Sequence, residues 1–146
     1  MDKIPPKLQH IIEDFQLCES IEKVELLVQY SDNLLPLPER LNESQEDMEQ
    51  IHECITPIFV QAESQDGKLF FHFKVPDNAP TVKGFAALMQ SALDGSKPEE
   101  ILSVPPNFYQ AMGLQRVISH QRMGGLSAIL GHMKKLAMAF VVQDQN

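Results

Sequence analysis

The residue of this chain best suited to chemistry is Cys54, in the run Gln50-Ile51-His52-Glu53-Cys54-Ile55-Thr56-Pro57. A thiolate is a nucleophile, and a cysteine on a loop held by a strand is positioned yet reachable. Pro57 has no N–H for a sheet ladder, so regular pairing should begin beyond it and leave Cys54 on a loop. The other reading is a small, inert core thiol, a common fate of free cysteine. The neighbours pull in opposite directions: a protonated His52 favours the thiolate, and the Glu53 carboxylate disfavours it. His72, His120 and His132 are further candidate bases for a cysteine–histidine pair, although a lone histidine is more often structural. No Asn or Asp orienter can be chosen without geometry. Cys18 continues the Leu8, Ile11, Phe15 spacing and reads as core packing.

Cys18 and Cys54 are the only cysteines. They are too few for a disulfide framework and lack the paired spacing of a zinc or iron–sulfur site. A metal held by His52 and Cys54 needs two more ligands from elsewhere, and no phosphate loop or dinucleotide fingerprint occurs. No cofactor is expected. The balance of 12 Lys and Arg against 20 Asp and Glu gives −8, with no basic block, which argues against nucleic acid and anionic membrane as partners. Uninterrupted apolar runs such as Leu136 to Val142 fall far below the about 20 residues of a spanning helix. The start, Met-Asp-Lys-Ile-Pro-Pro, shows no apolar signal region. A reducing, cytoplasmic setting is the expectation.

The elements that must position Cys54 follow from periodicity. A length of 146 residues with 43% apolar content suits one domain with a true core. Leu8, Ile11, Ile12 and Phe15 recur at helical spacing behind Pro5-Pro6. Ser20 caps a second helix with Ile21, Val24, Leu27 and Val28 on one face, ending near Ser31-Asp32-Asn33. Pro36 and Pro38 exclude helix, and the acidic stretch from Glu39 to Glu49 reads as an exposed connection or a solvated short helix. Ile58, Val60 and Ala62 then alternate with Phe59, Gln61 and Glu63, and Asp66-Gly67 signals a hairpin turn. Beyond it, Leu69, Phe71, Phe73 and Val75 share a face. Two strands are marginal alone, so a third, near Met48 to His52, is expected. Pro80 opens a helix with the stripe Val82, Phe85, Ala86, Met89 and Leu93, closed at Gly95. Ser96-Lys97-Pro98-Glu99 is a capping box, Asn107 caps a short helix ending at Gly113, and Ser119 starts the last helix. The order predicts an α+β class: a single compact domain over 1–146, with a core of about 8–140, in which a small antiparallel sheet packs against several helices.

At this point the chain resembles a known family, the SufE sulfur-acceptor proteins, which partner cysteine desulfurases in iron–sulfur cluster assembly. The resemblance runs from about Leu8 to Leu136. Its landmarks are Leu34-Leu35-Pro36-Leu37-Pro38, Cys54 before a hydrophobic strand, Ala79-Pro80-Thr81-Val82-Lys83-Gly84, and Arg122-Met123-Gly124-Gly125-Leu126, which looks like the family's Arg-x-x-Gly-Leu motif. Each is short, but four in the right order make a strong match. The resemblance implies a SufE/IscU-like fold. It also implies that Cys54 accepts persulfide sulfur from a pyridoxal-phosphate (PLP)-dependent, SufS-like desulfurase, stimulates that enzyme, and passes sulfur to a SufBCD-like scaffold. The chain is then a carrier rather than a stand-alone enzyme. Lys83 and Arg122 are motif positions with two equal readings, desulfurase docking or support of the acceptor loop on one side and local ion pairing on the other. His52 is the remaining supporting candidate.

The chain also departs from the family pattern. Glu53 replaces the usual glycine before the acceptor cysteine, Thr56 the usual serine, and Phe59 a common tryptophan. Asn78 stands where Asp precedes Ala. Two other classes compete with the carrier: a module that activates a desulfurase without carrying sulfur, and a stand-alone thiol enzyme, which needs a histidine within hydrogen-bond reach of Cys54.

Overall fold

The computed structural model describes residues 4–43, 45–54 and 56–144. Its central element is α4 (Pro80–Leu93), whose residues from Gly84 to Gln90 are all buried. Pro80 sits in its first turn, where a missing N–H costs nothing. The apolar stripe expected of this helix is therefore only part of what it buries. Four faces are covered: by α1 (Pro6–Gln16), by α2 (Ser20–Ser31), by the sheet and by the last helix, α7 (His120–Asp144). The short helices α3 (Glu39–Glu43), α5 (Pro98–Leu102) and α6 (Tyr109–Met112) complete the shell.

The α2–α4 contact depends on one glycine. A Cβ placed on Gly84 would lie 2.3 Å from the Leu27 carbonyl oxygen, so only a residue without a side chain lets the two backbones approach this closely. Leu27 is fully buried at this contact, with Val24 and Tyr30 packed beside it. The expected apolar face of α2 needs correction, because Ile21 is 66% exposed and Val28 37%. The cap also shifts by one residue: Glu19 precedes the helix and its N–H donates to the Glu22 carboxylate at 2.9 Å. The same happens at α5, where the Lys97 N–H, not that of Ser96, donates to Glu100. Cys18 is corrected too. It lies past the end of α1, half-buried, with its thiol donating to the Asp14 carbonyl at 3.5 Å, and it is not part of the core.

Strands β1 (Glu49–Ile51), β2 (Ile58–Gln65) and β3 (Lys68–Lys74) form an antiparallel sheet in chain order. The β2–β3 turn places Asp66 and Gly67 at φ of 54° and 79°, the left-handed pair that a two-residue hairpin requires. Leu69, Phe71 and Phe73 point into the core, as their alternation predicts. The outer edge of β3 is covered by the chain leaving α4. Leu69 exchanges backbone hydrogen bonds with Gly95 and Ser96, both at 2.8 Å, and the Asp94 carboxylate accepts the Phe71 N–H at 2.8 Å. The buried Gln90 amide donates to the Phe71 carbonyl at 2.8 Å and accepts the Leu35 N–H at 3.1 Å, so one side chain ties the proline segment to the sheet.

Helix α7 corrects the expectation about membrane length. Its His120–Val142 stretch has a mean hydropathy of 1.3 and is long enough to cross a bilayer, so counting uninterrupted apolar runs missed it. In the fold, Met123, Leu126, Ile129, Leu130, Met133 and Ala137 face the core. Ser119 caps this helix, its hydroxyl accepting the Arg122 N–H at 3.3 Å.

Candidate functional site

Cys54 lies in the loop 52–57 between β1 and β2. Ile51 pairs with Ile58 across the base of that loop, and both are fully buried. The ladder resumes at Ile58, directly after Pro57. Both ends of the loop are thus pinned by the core, with Cys54 between them; Ile55 lies outside the described residues. Cys54 is half-buried and packs against the core.

The sulfur rests on α7. A Cβ placed on Gly125 would lie 3.4 Å from Cys54 Sγ, an ordinary contact distance, so the thiol is seated on the surface of the helix at this glycine. Around it opens a cleft of about 610 Å³ whose walls include Cys54, Thr56, Asn78, Pro80, Arg122 and Gly125. One wall is therefore the N-terminal end of α4 and another that of α7. Helix N-termini carry partial positive charge, and Arg122 adds a full one. Glu53 lines the cleft as well, and its carboxylate, engaged by His132, stands against these positive groups.

The expected supporting residues divide. Arg122 lines the cleft with Cys54. Lys83 does not: it sits on the following residues of α4 with its ammonium 2.8 Å from Asp77, whose carboxyl it holds below the usual range. His52 is exposed in the turn after β1 and forms no part of the cleft wall, although its charge helps hold the Glu53 carboxyl down. Of the other histidines, His120 is exposed at the first position of α7, and His72 sits on β3 beside Glu63 at 3.2 Å. Burial, with help from Arg40, pushes the His72 imidazole down. Among the described residues, no histidine lines the cleft.

His132 does something else. Its Nδ1 meets the Glu49 carboxylate of β1, and its Nε2 meets the two carboxylate oxygens of Glu53 at 3.0 and 3.1 Å. Lys135 sits 3.2 Å from the other oxygen of Glu49. Burial pulls the His132 imidazole down, but the two carboxylates outweigh it and the net shift is upward. Glu53 is held low chiefly by its hydrogen bond to His132. Glu49 is pushed up by burial but more than recovered by His132 and Lys135, and ends below the usual range. From the sequence, His132 is only a candidate base. The signal available was spacing: Gly125 and His132 are two helical turns apart and share a face of α7.

The chain matches the family model described as SufE: Fe-S metabolism associated domain over residues 9–137. It is 35% identical over 133 residues to an uncharacterized SufE-like protein of Mycobacterium tuberculosis, covering 90% of this chain and 92% of that one. A protein of Plasmodium vivax called cysteine desulfuration protein SufE is 23% identical over 142 residues, covering 94% of this chain and 55% of the other. Among solved structures, the solution structure of a hypothetical protein from Thermus thermophilus superposes with a TM-score of 0.85 at 36% identity, covering 96% of this chain and 99% of that one.

Proposed function

Because the chain belongs to the SufE family of Fe–S metabolism-associated domains, we propose that it is a sulfur acceptor whose Cys54 takes persulfide sulfur from a PLP-dependent cysteine desulfurase of the SufS kind. The observation that carries this is the seat of Cys54: a half-buried thiol on a core-pinned loop, in a cleft walled by two helix N-termini and Arg122. The Cys54 thiolate attacks the outer sulfur of the partner's cysteine persulfide. A sulfur–sulfur bond forms on Cys54, the partner's own sulfur–sulfur bond breaks, and its electron pair leaves on the partner cysteine as thiolate. This is thiol–disulfide exchange in form, governed by thiolate fraction, leaving group and access. The new persulfide, anionic at neutral pH, rests against the positive ends of α4 and α7. A second exchange hands the sulfur to a SufBCD-like cluster scaffold. Arg122, exposed at the mouth, is the docking contact for the desulfurase, in a reducing, cytoplasmic setting.

Turnover of a desulfurase with free cysteine, recorded with and without this protein, tests the role. The native chain should raise turnover and Cys54→Ser should abolish the rise. A rise that survives Cys54→Ser would mean an activator that carries no sulfur. A stand-alone thiol enzyme is the weaker reading, since it needs a base against the thiol and the described cleft wall includes no histidine.

A further inference from the structure

The departure at Glu53 has a partner 79 positions away. The loop touches α7 at two points: the sulfur at Gly125 and the Glu53 carboxylate at His132. Gly125 and His132 are separated by about 10 Å along the helix. Residues 53 and 54 are separated by only about 3.8 Å, so the side chains of Cys54, Glu53 and His132 together span the remainder, and the loop is held to the helix at two separate places. His132 is also joined to Glu49, the first residue of β1, the strand that leads into the loop. A neutral imidazole donates from one nitrogen, whereas the protonated ring donates from both. The groups facing the ring are Glu49 from β1 and Glu53 from the loop, with His52 beside Glu53 and Lys135 beside Glu49. The tie lies at the surface, with the Glu53 side chain 60% exposed.

Resting on the sulfur-acceptor reading, we propose that His132 and Glu53 are positioning residues for Cys54: the bridged ring fastens the loop against α7 in the withdrawn state, and breaking the Glu53–His132 contact frees the sulfur to reach a partner. Glycine at position 53 could make no such tie, so this chain holds its acceptor loop by a side-chain clasp. Both carboxylates bind the protonated ring, and their contacts outweigh burial and shift His132 upward.

The test needs no desulfurase. The rate at which dithiodipyridine modifies Cys54 is measured against Cys18 in the same molecule, across pH, for the native protein, Glu53→Gln, His132→Ala and the double variant. Both single variants should speed Cys54 several-fold over Cys18, and the double variant no more than either alone. The acceleration should be largest below the His132 transition and shrink above it, where the native clasp has itself weakened. A purely electrostatic effect on the thiol would move the two variants in opposite directions, since one removes a negative and the other a positive charge. That result, or unchanged rates, would overturn the clasp. Because Glu53 is a surface side chain, Glu53→Gln reports even if His132→Ala folds poorly. Persulfide loading of the native protein is scored separately, so the sulfur-acceptor reading can fail while the clasp stands.

Discussion

Gly84 and Gly125 both let something approach a helix, but what approaches differs. At Gly84 of α4 it is the backbone of α2, so close that a Cβ would fall 2.3 Å from a carbonyl oxygen. At Gly125 of α7 it is the sulfur of Cys54, and a Cβ there would sit at 3.4 Å, an ordinary contact. The first neighbour is fixed by the core and cannot yield. The second is a side chain on a loop, and it can. One glycine builds the fold, whereas the other borders a loop side chain that the proposed sulfur carrier would have to move.

Substitution should break that likeness. Gly84→Ala drives a methyl into backbone, and overpacking of this kind costs about 1–3 kcal/mol; calorimetry should show melting several degrees lower. Gly125→Ala should not destabilise, since replacing glycine inside a helix gains up to about 1 kcal/mol and the sulfur has room. Gly125→Val, with a fold intact by circular dichroism, should evict the thiol and raise its modification rate several-fold relative to Cys18. If the two alanine variants melted alike, the distinction between a fixed and a yielding neighbour would be lost.

A smaller effect concerns the His132 bridge. The raised His132 pKa contributes stability that is present below its unfolded value of about 6.5 and is lost as pH rises through the folded value. The lowered Glu49 contributes above about 4.3, and that share is lost as pH falls through its folded value. The stability difference between native protein and His132→Ala should therefore be greatest between about pH 4.3 and 6.5, at about 0.5 kcal/mol for a partly screened bridge. Urea titrations across pH check it, and a flat difference would detach the bridge from titration. The smallest effect is at Lys83. Lys83→Ala removes a surface pair with Asp77, which is 94% exposed, and should leave both the melting temperature and Cys54 reactivity where they are. A large loss of desulfurase stimulation instead would make Lys83 a docking residue.

What the sequence disclosed follows the range of the interactions. The hairpin was legible because alternation and the Asp66-Gly67 turn are local, and so was the short third strand that brackets Cys54. The face of α2 was not. Four apolar residues looked like one stripe, but the close contact at Gly84 centres on Leu27, and Ile21 and Val28 lie about 100–120° around the helix from it. Cys18 continued a helical spacing past the point where α1 stops, so periodicity placed it in a core it does not enter. The loop position of Cys54 was legible, and so was the place of Arg122 in the first turn of α7, where both line one cleft. The Glu53–His132 contact was not, because it joins a loop to a helix far along the chain and only the tertiary fold brings them together.

The central claim is that Cys54 carries sulfur, and intact-protein mass spectrometry after incubation with a PLP-dependent cysteine desulfurase and free cysteine tests it most directly. The expected result is a reducible gain of one sulfur atom in the native protein and in Cys18→Ser, and none in Cys54→Ser. A gain that persists in Cys54→Ser, or no gain while desulfurase turnover still rises, would contradict it.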